Sequence, residues 1–225
     1  MCGRYVLKTS MRQLQRIYGI PDDDTSRSEE WRPRYNLAPS QDAPVVRVLA
    51  GQRRLDLLRW GLLPGWATDP TLALKLINAR SETVATKPAF RGAFRSRRCI
   101  VPADGFYEWQ AGPSGKQPFY IHAADDSVLS LAGLWETWRS PGGEVLETYA
   151  ILTTEANAWM RPLHDRMPVI LLGEAVDQWL DPASSAGALQ SLLKAPPEVS
   201  LKAYPVSRAV GAVKNDSAEL IEPQS

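Results

Sequence analysis

Residues 99–122 read CIVPADGFYEWQAGPSGKQPFYIH, and this stretch decides the fold. β-Branched and aromatic residues run from Cys99 to Trp109, the composition of a strand, with a break near Asp104-Gly105. Gly112-Pro113-Ser114-Gly115 supplies a reversal, and Phe119-Tyr120-Ile121-His122 pairs back across it as the second arm of a hairpin. The same grammar repeats on both sides. Residues 45–49 and 55–60 read as strands, and Pro64-Gly65 marks a turn. Residues 128–138 and 147–153 form a further hairpin around Pro141-Gly142-Gly143, and strands return at 167–172 and 199–206. Helices are few. Ser10 and Gln13 make a capping box, after which Leu14, Ile17 and Tyr18 share a helical face. Short helices are expected at 156–163, 174–180 and 185–193, and the tail past Glu222 is expected to be loose. Strands do not alternate regularly with helices, which argues against a doubly wound parallel sheet. The expectation is one α+β domain over residues 1–225. Its core is a bent, mostly antiparallel, barrel-like sheet with peripheral helices.

Composition narrows the function. With 225 residues and 44% hydrophobic content the chain can bury a sizeable core. No apolar run approaches the roughly 20 residues needed to span a membrane, and no signal-peptide pattern opens the chain. A cytoplasmic protein is expected. Two cysteines, Cys2 and Cys99, exclude a disulfide framework, and a single bridge between them would remove a thiol from any chemistry. Zinc fits poorly, since Cys2, Cys99, His122 and His164 contain no closely spaced pair. No P-loop, G-x-G-x-x-G or G-x-S-x-G motif is present. The net charge of +1 means that a nucleic-acid partner would have to meet a local basic patch. Arg91, Arg95, Arg97 and Arg98 cluster, as do Arg53 and Arg54, though a solvated face explains such runs as well. The acidic runs at 22–24 and 29–30 read as a solvated loop.

Few residues can do acid–base or nucleophilic work near neutrality. Cys2 follows the initiator, and removal of Met1 would give it an α-amine beside its thiol, a 1,2-aminothiol. Taken alone, Cys2 is read more simply as a small apolar residue behind the start codon. His164 lies between Leu163 and Asp165-Arg166 at an element boundary, either a general acid or base or a surface cap. His122 suits an ordinary sheet position. Glu108, among Phe106, Tyr107 and Trp109, would lose hydration if its neighbours enclose it, or face solvent if the strand alternates the other way. Asn78 could orient a nucleophile or simply make a turn. Trp66 follows a turn and could stack on a base or pack in the core. Arg4, Arg80 and Arg166 each stand within two residues of one of these groups, which would suit a phosphodiester backbone.

Seven segments, in order, resemble the SRAP family of SOS response-associated peptidases or abasic-site processing proteins. They are Met1-Cys2-Gly3-Arg4, Tyr35-Asn36-Leu37-Ala38-Pro39, Trp60-Gly61 through Trp66, Ile77-Asn78-Ala79-Arg80 with Glu82-Thr83, Pro102 through Trp109, His164-Asp165-Arg166-Met167-Pro168, and Pro205-Val206-Ser207-Arg208 through Lys214-Asn215. The chain ends soon after Asn215, which looks bacterial. The resemblance implies recognition of abasic sites in single-stranded DNA and covalent crosslinking through a thiazolidine on Cys2. By the same resemblance Asn78 positions the Cys2 amine and the sugar. Glu108 shuttles protons, and His164 acts on the sugar oxygen. Arg4, Arg80 and Arg166 hold phosphates, with Trp66, the Asn36 to Pro39 loop and Ser207 along the DNA path. A weak strand-cleaving lyase activity follows from the imine. A cysteine peptidase built on Cys2, Glu108 and His164, or a non-catalytic single-stranded DNA-binding module, are the alternatives. The expected partner is damaged DNA, met by a monomer without metal or organic cofactor. It would be nucleoid-associated while on DNA.

Overall fold

The structure is a computed structural model and describes residues 2–21, 31–113, 115–194 and 200–224. The acidic runs at 22–24 and 29–30, Ser114 in the hairpin turn, and Val199 at the start of the last expected strand lie outside the described residues. In chain order the elements are β1 (Tyr5–Leu7), α1 (Met11–Tyr18), β2 (Arg34–Leu37), β3 (Asp42–Leu49), β4 (Gln52–Trp60), β5 (Asn78–Arg80), α2 (Arg91–Ser96), β6 (Arg98–Ala103) and β7 (Gly105–Gly112). They continue with β8 (Gly115–Ala123), β9 (Leu129–Arg139), β10 (Val145–Glu155), β11 (Arg166–Pro168), β12 (Ile170–Leu171), α3 (Glu174–Leu180), α4 (Ala186–Ser191) and β13 (Leu201–Pro205). Short 3-10 helices cover Pro70–Lys75, Arg208–Gly211 and Ala218–Ile221.

Five of the strands close on themselves. β10 pairs with β4, β4 with β3, β3 with β6, β6 with β9, and β9 with β10 again. The ring is antiparallel except for the parallel contact of β4 with β10. The chain leaves that edge of β10 after Trp60, makes an excursion through residues 61–77, and returns to the same edge as β5, where Asn78 pairs with Ile151. Cys99 faces Gly133 across the β6–β9 pair, and a Cβ at Gly133 would come within 2.8 Å of the Cys99 Sγ.

The second sheet, in the order β13-β8-β7-β1-β2, packs against this barrel. The break read at Asp104-Gly105 is the corner between the two sheets: β6 belongs to the barrel and β7 to the second sheet. Asp104 holds the corner, its carboxylate accepting from the backbone N–H groups of Lys8 and Thr9 at 2.7 and 3.0 Å. Gly105 follows because a Cβ there would lie 2.6 Å from the Ile121 carbonyl oxygen. Side chains alternate along β7, so Phe106 and Glu108 face the barrel while Tyr107 packs with Val6, Tyr120, Val206 and Val210 on the far side. Tyr5 crosses the seam between the sheets. Its hydroxyl meets that of Tyr149 at 2.8 Å, and its ring meets Trp60 edge-on at 5.2 Å.

The capping box forms as read, and Gly19 ends α1 in the left-handed region. The buried face of α1 is Met11, Leu14, Gln15 and Tyr18, whereas Ile17 is exposed. Residues 156–163 are a run of turns, not a helix. Pro162 offers no N–H and cannot sit in a helix interior. The strand expected at 167–172 splits in two. β11 pairs with β10 and β12 with β9, and the Val169 N–H turns aside to the Leu152 carbonyl. The C-terminal segment is fastened as far as Gln224, whose N–H donates to the Pro205 carbonyl.

Candidate functional site

Cys2 precedes β1 and lies wholly buried at the seam. Its carbonyl accepts from Asn78 Nδ2 at 2.9 Å, which ties the chain start to β5. Two residues on, the Arg4 carbonyl accepts from the Tyr107 N–H at 3.0 Å, which ties it to β7. Glu108, the next residue of β7, is 2% exposed. Burial pushes the Cys2 thiol well above the usual thiol range, and the charge of Glu108 adds to the rise. The His164 Nε2 stands 4.0 Å from the Glu108 Oε2. Asn78 Oδ1 is buried and has no hydrogen-bond partner among the described residues, so an acceptor waits beside Cys2.

His164 closes the turn run before β11. Its Nδ1 accepts from the Arg166 N–H at 2.9 Å and lies 2.8 Å from Asp165 Oδ1. These two neighbours make opposite demands. The backbone N–H is fixed by β11, whereas the Asp165 carboxylate is 85% exposed and screened by water. With Nδ1 accepting from that N–H, we assign the ring proton to Nε2, on the side of Glu108. The other side of the imidazole opens on a cleft of about 620 Å³ lined by Arg80, Glu155, Arg161, His164, Asp165 and Arg166.

The three arginines read as phosphate holders have different fates. Arg4 donates to Asn36 Oδ1 and to the carbonyls of Val210 and Gly211. Arg166 is gripped by Glu82 through both terminal nitrogens, at 2.6 and 3.0 Å, and also donates to the Thr153 carbonyl. This contact holds the Glu82 carboxyl below its usual range. Arg80 is exposed on the cleft and has no acidic partner among the described residues. Sequence reasoning missed Arg161, which lines the same cleft. Its signal was its place in the turn that carries His164.

Asn36 is fully buried, and its amide donates to the carbonyls of Val210, Ala212 and Asn215, so its side chain braces the C-terminal segment. Pro39 is half-buried, and Ser207 is exposed, with its hydroxyl accepting from the Ala209 N–H. Trp66 is 63% exposed within the 61–77 excursion. The basic cluster near α2 divides: Arg91 and Arg95 are exposed, whereas Arg97 and Arg98 are taken up in structural contacts. Arg98 is buried against four backbone carbonyls, and Arg97 pairs with Glu136. His122 occupies the sheet position expected of it, stacked on Tyr120 and paired with Asp126. Both cysteines are free thiols. Among the described residues no cluster of His, Cys, Asp and Glu is placed to hold a metal ion. No described helix is long and apolar enough to cross a membrane.

Comparisons with known proteins agree with this architecture. The family model described as SOS response associated peptidase (SRAP) matches residues 1–213. The Bacillus subtilis protein named abasic site processing protein YoqW is 42% identical over 224 residues, covering 99% of each chain. The Escherichia coli protein named abasic site processing protein YedK is 34% identical over 229 residues, covering 99% of this chain and 100% of its own. A crystal structure of a Bacteroides thetaiotaomicron protein superimposes with a TM-score of 0.89 at 26% identity, covering 100% of both chains. The chain belongs to the SOS response associated peptidase (SRAP) family.

Proposed function

We propose that the chain recognises abasic sites in single-stranded DNA and traps them covalently on Cys2, shielding the lesion. The observation that carries this reading is the meeting of Cys2, Asn78, Glu108 and His164 beside an arginine-lined cleft. The names of the relatives, abasic site processing proteins, point the same way.

The chemistry requires removal of Met1. The freed Cys2 amine attacks the C1′ aldehyde of the ring-opened deoxyribose, and loss of water gives an imine. The thiol then adds across the imine. A C–S bond forms, the thiol proton passes to nitrogen, and a five-membered thiazolidine closes. Ring opening moves one proton from the C1′ hydroxyl to the ring oxygen; Glu108 relays it, while the His164 Nε2–H hydrogen-bonds to that sugar oxygen and stabilises the charge it gains. Glu108 collects the proton shed by the amine and returns it to the departing hydroxyl. Asn78 Oδ1 takes an N–H of the Cys2 amine, while its Nδ2 keeps the Cys2 carbonyl in place. A thiol kept protonated by burial leaves the first attack to the amine, the order that thiazolidine formation needs. If the thiol is slow, the imine acidifies C2′ and β-elimination cuts the strand as a side reaction.

A cysteine peptidase would need the opposite electrostatics. Its nucleophile is a thiolate lowered by an adjacent imidazolium. At Cys2 both burial and the Glu108 carboxylate raise the thiol, which weighs against that reading. The test is a denaturing gel after incubation with single-stranded DNA carrying one abasic site. The processed wild type should give a heat-stable shifted band and Cys2→Ala none. Absence of the band with wild-type protein whose mass shows Met1 removed would overturn the proposal.

A further inference from the structure

The geometry points to a second nucleotide-binding platform, made by Trp159 and Arg161, that holds single-stranded DNA on the side of the site away from Trp66. The inference rests on the DNA-binding reading of the cleft. Trp159 is a large aromatic side chain left 43% exposed on a rigid support. Met160 beside it is fully buried and anchors the turn. Asn157 Oδ1 accepts from the Met160 N–H at 2.9 Å, and the Asn157 carbonyl accepts from the Arg161 N–H at 3.0 Å. The Met160 carbonyl takes the N–H groups of Leu163 and His164, and Gln110 Nε2 donates to the Pro162 carbonyl. Bonding of the Ala156 N–H to the Asp165 carbonyl draws the two ends of the loop together. An indole presented this way loses little freedom when a base stacks on it.

Charge supplies the second half of the argument. Of the three arginines on the cleft, Arg166 is committed to Glu82. Arg80 and Arg161 have no acidic partner among the described residues, although Glu155 and Asp165 share the cleft wall. An exposed aromatic ring two residues from such an arginine is the pairing by which proteins hold single strands, the ring taking a base and the cation a phosphate.

Strand β10 sets the positions. Trp66 follows Gly65, whose Cβ would touch the Thr137 carbonyl, and Thr137 pairs with Glu147. Asn78 pairs with Ile151, and the Trp159 loop begins where β10 ends at Glu155. Eight residues of strand separate the two levels, about 26 Å, with Cys2 and Asn78 midway. The loops that carry the two exposed tryptophans therefore start at opposite ends of this stretch of β10, with the Asn78 level between them, so a strand crossing the site has one within reach on each side.

The test is equilibrium binding of a short, fluorescently labelled, undamaged single-stranded oligonucleotide across a salt series, using the full chain. Trp159→Ala should weaken binding roughly 5-fold or more with the salt slope unchanged, and Trp159→Phe should recover most of the loss. Arg161→Ala should weaken binding and reduce the salt slope by about 0.7, the signature of one lost phosphate contact. Wild-type affinity and slope in both alanine variants, with wild-type thermal midpoints, would overturn the inference, as would failure of the wild type to bind the oligonucleotide. The abasic-site gel separates the two proposals. A wild type that crosslinks while both variants bind normally leaves the capture reading standing and the platform refuted. Trp159-dependent binding without crosslinking does the reverse.

Discussion

The two cysteines occupy two different interiors. Cys99 lies in the barrel against Gly133, and Cys2 lies at the seam between the barrel and the second sheet; both are fully buried. Burial raises both thiols, but the largest charge effect on each is opposite. Arg47 partly offsets the rise at Cys99, whereas Glu108 adds to it at Cys2. Burial therefore does not distinguish the two thiols. The difference lies in the company: Cys2 has an amide, a carboxylate and an imidazole within one small region that opens on a cleft, and Cys99 has the wall of the barrel.

The most severe way to break this comparison is to remove each thiol in turn. Cys2→Ala should abolish the crosslinked band on abasic single-stranded DNA, while Cys99→Ala should keep it. Loss of the band in both would mean that the barrel thiol also takes part. Alkaline pH gives the next largest effect. A thiol whose folded pKa lies above its unfolded value contributes stability below the unfolded pKa, and that contribution fades as pH rises toward the folded one. Each cysteine should thus cost about 1.4 kcal/mol of stability per pH unit above roughly 8.5, and denaturant melts at several pH values should show a shallower decline in Cys99→Ala.

Packing sharpens the contrast further. Gly133→Ala should destabilise the barrel by about 1 to 3 kcal/mol, because its Cβ would press on the Cys99 Sγ and stand 3.3 Å from the Ala150 carbonyl oxygen. Adding Cys99→Ala should return part of that loss, as measured by denaturant melts of the single and double variants. The smallest effect is electrostatic. Glu108→Gln should lower the Cys2 thiol pKa and leave that of Cys99 where it is, and thiolate absorbance in single-cysteine variants reads each one separately.

What the sequence disclosed was local, and what it withheld was long-range. The Ser10–Gln13 capping box and the Gly19 stop act within one or two helical turns, so residue order suffices to see them. The Asp104-Gly105 break was visible as a break, but its meaning as a corner depends on β7 finding β1 and β8. Closure of the barrel rests on β9 meeting β10 while β10 also meets β4, which no periodicity reveals. Cys2, Asn78, Glu108 and His164 could be named one by one, yet the 76-residue span between Asn78 and Cys2 is bridged only by the fold. The same distance problem hid the acceptors of Asn36, which lie more than 170 residues away. It also hid Glu82, 84 residues from the Arg166 it occupies. Glu108 was undecided because alternation fixes that neighbours differ in face, not which face is buried.

Closure of the barrel also bears on how few strand edges the described residues leave open. An unpaired strand edge is a template for another molecule, and a ring has none. The described strands that remain at the margins are poor templates. β5 and β11 have three residues each, with Pro168 in β11, and β12 has two. At the rim of the second sheet, β13 carries Lys202 and ends on Pro205. β2 is blocked another way: Asp216 takes the backbone N–H groups of Tyr35 and Asn36, at 2.5 and 3.0 Å, where an incoming strand would otherwise bond. The carboxylate that fastens the C-terminal segment thus also takes up donors that a free β2 edge would leave unpaired.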